Sequence, residues 1–473
     1  MNTNNKKIYS TTGDPFVDLG GLVFQTILER YPYKKEVDVV DFIISVYIKQ
    51  WNENLYSIFH TNSKLLNPST KGKHEENTKK YYRLIIQNKK TDGCKDEGYC
   101  KTCGKKGLLY QNSREFFPNT GSGKFVNFYH SHESGIFLCN ECTLKLFFVP
   151  LGVLLLDGKN GFLHSQSERL QKFWQERVIG ENLNKIDKKT SVGILRFHYT
   201  RSVNALFYFA EEIIMEVSDD NYSDYLQLFI FSNFGPDPNC SIFILPNPVF
   251  NFLNKVIRYY KRDWNNFINR YYRIKGARWD AANQRWYQEK KKEIKFLEKS
   301  DYLNNPNDIY GKLLSNQSIL KQLLNSQKMH YQKQLEKFPI EITHHYVTEV
   351  LEMTNEQVVI IARIADVIFE LSQKENNYKK YLFMLESASK AYQLRGTLLK
   401  IIKANFYNGA EKPVIRMKDY VDYLFPDGQY WGEVRDLLLI HLYEKYHDEG
   451  INRDEIPEGE IGEAVEDEPV NTL

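Results

Sequence analysis

Two Cys-x-x-Cys pairs constrain this chain more than any other feature: Cys100 with Cys103 in "YCKTCGKKG", and Cys139 with Cys142 in "LCNECTLKL". Each pair puts two thiols on one tight turn. Two such turns supply four sulfur donors, the number that closes a structural zinc site. Thirty-five residues separate the pairs, more than the usual zinc-ribbon spacing, so the intervening segment is expected to form a structured loop hung from the metal. Two other readings stay open at this point: reduced buried thiols, or a redox dithiol, which needs only one pair.

Six cysteines in 473 residues do not make a disulfide scaffold, and a reducing cytoplasm is the expected compartment. The length suits two or three domains, each with its own core. The N-terminus "MNTNNKKIYS" is polar and no apolar signal region follows it. The longest apolar run, residues 147–156, is about half the length that spans a bilayer and contains Pro150. A soluble protein without a membrane partner is expected. The net charge of +3 hides an asymmetry. Residues 451–473 carry eight acids against Arg453, which leaves +10 on residues 1–450. The composition describes a basic folded part with a disordered acidic tail, and it favours a polyanionic partner.

Along the chain, Gly13-Asp14-Pro15 reads as a turn entering a helix or strand, with Asp14 as turn former and Asp18 as a helix-start carboxylate rather than metal ligands. Between the cysteine pairs lies "FFPNTGSGKFVNFYHSHESG", whose glycines allow close backbone approach to a ligand but lack Walker A spacing. Asn119, Ser122, Lys124 and Asn127 offer donors to base edges or phosphates there, an ordinary surface loop being the competing reading. His130 and His132 stay outside a shell that four cysteines already fill. The runs "SVGILRFHYT", "YLQLFIFSNF" and "CSIFILP" read as strands, with "ALFYFAEEIIMEV" as a helix among them and Cys240 as a buried apolar residue.

From Asn247-Pro248 a long helix is expected to run to about residue 297. Residues 256–296 hold twelve Lys or Arg against four acids, with ten aromatics interleaved. Alternation at helical spacing predicts one stripe for packing and one for phosphate contact, with Arg258, Lys261, Arg262, Arg270, Arg273, Lys275 and Arg278 as the candidates. A basic solvated helix pair is the competing reading. Beyond residue 308 the pattern is helical. Thr354 to Gln357 forms a capping box, a second helix runs from Tyr378 to a Gly409 stop with Lys390 and Arg395 on a basic face, and "WGEVRDLLLIHLYEKY" makes a third. No G-x-S-x-G, H-E-x-x-H or phosphate-cradling glycine motif occurs, and His447-Asp448 lacks the partners of a metal phosphohydrolase. The expectation is a binding protein, not an enzyme.

The phrase "TGDPFVDLGG" at the N-terminus, the two cysteine pairs in order, the length and the helical C-terminal part together resemble one family. It is the large subunit of type I-B CRISPR interference complexes (Cascade), in its CXXC-CXXC branch. The resemblance implies a non-catalytic subunit of an RNA-guided surveillance complex that recognises the protospacer-adjacent motif, stabilises the R-loop and docks a helicase-nuclease. Its implied partners are the CRISPR RNA, target DNA, and the backbone and guide-end-binding subunits; its implied cofactor is structural zinc on Cys100, Cys103, Cys139 and Cys142. The rival expectation is a free-standing zinc-containing nucleic-acid-binding protein. The fold expected is α+β: a mixed domain over residues 1–305, with a zinc module at about 95–145 and basic aromatic-rich helices at about 248–297, then a helical bundle resembling the small subunit over 306–450. Met353, just before the capping box, is a candidate internal start for a separate small subunit.

Overall fold

The computed structural model describes residues 11–51, 55–117, 135–216, 226–233, 239–290, 293–410, 413–425 and 431–451. It divides into two units, Met1–Phe250 with Leu303–Pro306, and Asn251–Tyr302 with Asn307–Leu473. The division falls elsewhere than a single cut at residue 305. Residues 251–302 go with the helical unit because their partners lie there: Lys255 pairs with Glu349 at 2.5 Å, and Arg273 with Asp308 at 2.5 Å.

In the first unit the helix Pro15–Arg30 starts where local chemistry says it must. Asp14 caps it, accepting from the N–H of Phe16 at 3.0 Å and of Val17 at 2.9 Å, and Pro15 fills the first helical position. Gly13 takes φ +84°, a conformation glycine adopts without strain. Asp18 is buried and closes the turn, accepting from Thr12 N–H at 2.6 Å, Thr12 Oγ1 at 2.9 Å and Gly13 N–H at 3.1 Å. Phe16 then meets Phe117, Phe162, Phe229 and Phe231 edge to face, at centroid distances of 5.0 to 6.4 Å.

Phe162, Phe229 and Phe231 all come from one five-stranded sheet. A three-stranded antiparallel sheet is built of β1 (Lys95–Tyr99), β2 (Lys106–Asn112) and β3 (Ile136–Leu138), with Tyr110 opposite Leu138. A five-stranded sheet contains β4 (Leu154–Leu156), β5 (Lys159–His164), β6 (Leu195–Arg196), β7 (Leu226–Ser232) and β8 (Asn239–Leu245), in the order β6-β4-β5-β7-β8. Only the β4–β6 pair is parallel. The expected strands therefore form, although "SVGILRFHYT" contributes two residues only. The helix Ser202–Glu216 stands where "ALFYFAEEIIMEV" put it. Cys240 is exposed, not buried, because β8 is the edge of its sheet.

In the second unit the helix Asn247–Arg270, counted from Asn251, kinks at Tyr260 and ends at Arg270. The expected continuation to residue 297 is wrong. The chain instead forms β9 (Arg278–Asp280), β10 (Arg285–Lys290) and β11 (Glu293–Phe296), a three-stranded antiparallel sheet in the order β11-β10-β9. Asp280 accepts from the N–H of Ala282 at 3.0 Å and Asn283 at 3.1 Å, and Gln284 takes φ +50°. That Asx turn reverses the chain so that Trp279 pairs across the strands with Trp286.

The helix Trp431–Asp448 is buried nearly all round its middle, where Val434, Leu437, Leu438, Leu439, Ile440, Leu442, Tyr443 and Tyr446 are joined by the buried Asp436 and His441. Such a helix must be surrounded. Helices Leu320–Gln332, Asn355–Lys374, Tyr378–Glu386, Ala391–Tyr407 and Ile340–Glu349 all pack on it. The bundle thus has a central helix and a ring, where the sequence suggested three antiparallel helices. The capping box forms as read, with Gln357 N–H on Thr354 Oγ1 at 3.2 Å and Thr354 N–H on Gln357 Oε1 at 2.7 Å. The helix expected from Tyr378 to Gly409 is two: the chain breaks after Glu386 and restarts at Ala391, with Gln393 Oε1 accepting Ser389 N–H at 2.7 Å. The acidic residues 452–473 lie outside the described residues. No helix among the described residues is long and apolar enough to cross a membrane.

Candidate metal centre

The four cysteines come together. Their Sγ atoms all lie within 4.8 Å of one another, and they form no disulfide. The first pair occupies the turn between β1 and β2, closed by Gly104 N–H on Cys100 O and Cys100 N–H on Lys105 O, both 2.9 Å. The second pair opens the helix Asn140–Leu146, with Cys139 at its N-cap and Cys142 in its first turn. Lys101 N–H bonds Phe137 O at 3.1 Å, which fastens the first turn to β3 and so to the second pair. Cys100, Cys139 and Cys142 are buried and Cys103 faces outward.

Electrostatics and geometry agree on what this cluster can hold. Cys100 collects hydrogen bonds from the thiols of Cys139 and Cys142 and from Cys103 N–H, which hold its pKa far below the ordinary thiol value. The same bonds push the donors up: Cys139 to about 12 through Cys100, and Cys142 further through Cys100 and then Cys139. Like charges this close disfavour several thiolates together, and a cation shared by the sulfurs removes that penalty. Cys103 Sγ and Cys139 Sγ stand 3.7 Å apart. With Zn–S bonds of about 2.3 Å, a tetrahedron of thiolates has an edge of about 3.8 Å. The donor set, the spacing and the burial fit one soft divalent ion. Lys105 bridges the two turns, its Nζ 2.7 Å from Glu141 Oε1, and that carboxylate, followed by the Cys139 and Cys103 sulfurs, raises its pKa.

The N-terminal phrase meets the metal module through one glycine. A Cβ on Gly20 would lie 2.0 Å from the carbonyl oxygen of Lys145, in the helix that begins at Cys139. The helix Pro15–Arg30 therefore crosses that helix at backbone contact. Nothing in the spacing of the two motifs predicts that contact. The signal was the double glycine at Gly20 and Gly21 in an otherwise apolar helix.

The loop residues Asn119, Ser122, Lys124 and Asn127, with His130 and His132, lie outside the described residues, within 118–134. Its two ends are held. Phe117 is buried in the phenylalanine cluster, and Gly135 takes φ +82° with Asn112 O 2.5 Å from where a Cβ would stand.

The candidate phosphate contacts fare unequally. Arg262 pairs with Glu336 at 2.7 Å, Arg273 with Asp308 at 2.5 Å and Arg278 with Glu289 at 3.8 Å. Arg258 donates to Asn254 Oδ1 at 2.6 Å. Arg270 lies over the Tyr271 ring with Nη1 buried, and Arg395 lies 5.2 Å from the Phe425 centroid with Nε buried. Lys261 is half-buried and also engaged. Lys275 and Lys390 are exposed and make no ion pair among the described residues. Of the interleaved aromatics, Trp264, Phe267 and Tyr272 are core and Tyr259 is exposed. His447 Nε2 contacts Leu335 O at 2.9 Å and Asp448 pairs with Lys337 at 2.7 Å at the end of their helix.

Residues 94–154 match a family model described as CRISPR-associated protein (Cas_CXXC_CXXC). The matched segment begins at Cys94 and contains all four clustered cysteines, all of β1 to β3 and the helix Asn140–Leu146. Compared with curated proteins and with solved structures, the chain matches none.

Proposed function

We propose that this chain is a non-catalytic, cytoplasmic large subunit of a type I-B RNA-guided surveillance complex, and that the ion on Cys100, Cys103, Cys139 and Cys142 is structural zinc. In this reading it recognises the protospacer-adjacent motif on duplex DNA, stabilises the R-loop and docks the helicase-nuclease that cuts. The observation that carries it is the match of residues 94–154 to a CRISPR-associated family over the segment that gathers the four thiols. Guide pairing delivers most sequence specificity in such complexes, which leaves the protein with shape and motif reading. A basic chain suits that work, and four thiolates leave a metal no open position at which to activate water. Residues 118–134 connect β2 to β3 in the sequence, within the segment framed by the cysteine pairs, and Asn119, Ser122, Lys124 and Asn127 are the proposed motif readers.

Co-purification tests the reading. The tagged chain, expressed in a host that carries its neighbouring genes, should come out with a repeat-derived RNA, backbone subunits and bound zinc. A chain that keeps its zinc but emerges alone and free of RNA points to the rival, a free-standing nucleic-acid-binding protein. The confinement of the match to residues 94–154 is what favours that rival. An internal start at Met353 would give a product lacking Leu320–Gln332, whose Tyr331 packs against Tyr443 and Tyr446 of the central helix. Such a product needs another protein to cover that face.

A further inference from the structure

The helix Ala391–Tyr407 turns Leu394, Thr397, Leu398 and Ile401 into the bundle. Its outer side is unusual for a solvated surface. Tyr392, Leu399 and Phe406 are 66%, 59% and 72% exposed, and they recur every seven residues. Two turns of helix separate each from the next, so they form one straight line about 21 Å long. Gly396 lies on the same side between Tyr392 and Leu399, with open space where a Cβ would stand. A glycine there weakens the helix and relieves no internal clash. It leaves a notch in the apolar line.

The charge on this helix has one sign. Residues 391–407 contain no acid, and Lys400 and Lys403 are exposed without an ion pair among the described residues. We propose that this line docks an amphipathic helix of a partner protein, apolar on its seam and acidic on its flanks. The seven-residue period is what two packed helices share, the notch takes a side chain from the facing helix, and Lys400 beside the line and Lys403, which interrupts it between Leu399 and Phe406, select glutamate or aspartate. A second copy of this helix brings like charges together. Single-stranded nucleic acid fits less well, because Leu399 at the centre of the line offers no ring for a base and Arg395 is turned onto Phe425. The inference stands on this helix alone and goes beyond the CRISPR reading, which can fail without it.

The test uses the full chain and a designed helical peptide of about 21 residues, with Leu at seam positions and Glu at the flanks, plus a version with Lys at the flanks. Fluorescence anisotropy should show the Glu peptide binding at least about tenfold tighter than the Lys peptide. Leu399→Asp should abolish that binding, and Lys400→Glu with Lys403→Glu should reverse the preference. Gly396→Ala separates docking from folding: it should raise Tm by about 2–4 °C while weakening the peptide. Equal binding of both peptides overturns the proposal. So does displacement of the Glu peptide by oligothymidylate, or dimerisation of the chain that Leu399→Asp prevents. Binding that appears only after residues 452–473 are deleted assigns the seam to the chain's own acidic end and overturns a partner in trans.

Discussion

At the scale of single residues, the metal centre and one buried histidine carry the sharpest expectations. Cys142 is buried and is crowded by two other thiols, so Cys142→Ala removes a donor that nothing nearby replaces. The variant should retain less than about one tenth of the metal its parent binds and lose several kcal/mol of stability, read by metal analysis and by thermal melting. His441 lies beside His344, with ring centroids 5.4 Å apart, and 3.8 Å from Glu444. Burial, and then the His344 charge, lower its pKa to about 4, against the raising effect of Asp366, while Lys445 adds to the lowering. The sign follows directly. The unfolded chain takes the proton below about pH 6.5, the folded chain refuses it until about pH 4, and stability falls as pH drops through that window. The loss approaches roughly 3 kcal/mol. His441→Asn should flatten the difference between unfolding midpoints at pH 7 and pH 5; an equal difference in both proteins rules this origin out.

At the scale of elements, one contact joins the N-terminal helix to the metal module. Gly20→Ala drives a methyl into the Lys145 carbonyl, and neither backbone can yield without moving Cys139 and Cys142. The expected cost is roughly 3 kcal/mol, with faster metal loss to a chelator. Gly311→Ala, which meets open space on a helix, is the control and should cost nothing. A Gly20→Ala protein as stable and as slow to release zinc as its parent would separate the two motifs again. Elements also explain where period-based reading fails. Residues 278–296 have the charge and ring content of the preceding helix, and only the Asp280 turn, an Asx signal within four residues, marks them as strands.

At the scale of the whole molecule, the excess positive charge of residues 1–450 is partly spoken for. Arg262, Arg273 and Arg278 each face a carboxylate, whereas Lys275 and Lys390 face none among the described residues. Replacing Lys275 and Lys390 together with Ala should lower the slope of log affinity for duplex DNA against log salt by about 2. Replacing Arg273 and Arg278 should lower it by less than about 1, because those cations release fewer counterions on binding. The opposite ranking would mean that DNA strips the arginines from their acids.

Sequence by itself determined what short-range chemistry decides: two thiol turns, the Asp14-Pro15 helix start and the Thr354 capping box, each closed within a few residues. The tertiary structure alone decided which cations keep their charge exposed, since the acids that meet Arg262 and Arg273 lie 74 and 35 residues away. It also decided that the helix Trp431–Asp448 is central and that Gly20 presses on Lys145. Those outcomes depend on which faces meet across long stretches of chain. Composition and period cannot encode that, because burial is a property of the neighbours a residue acquires and not of the residue itself.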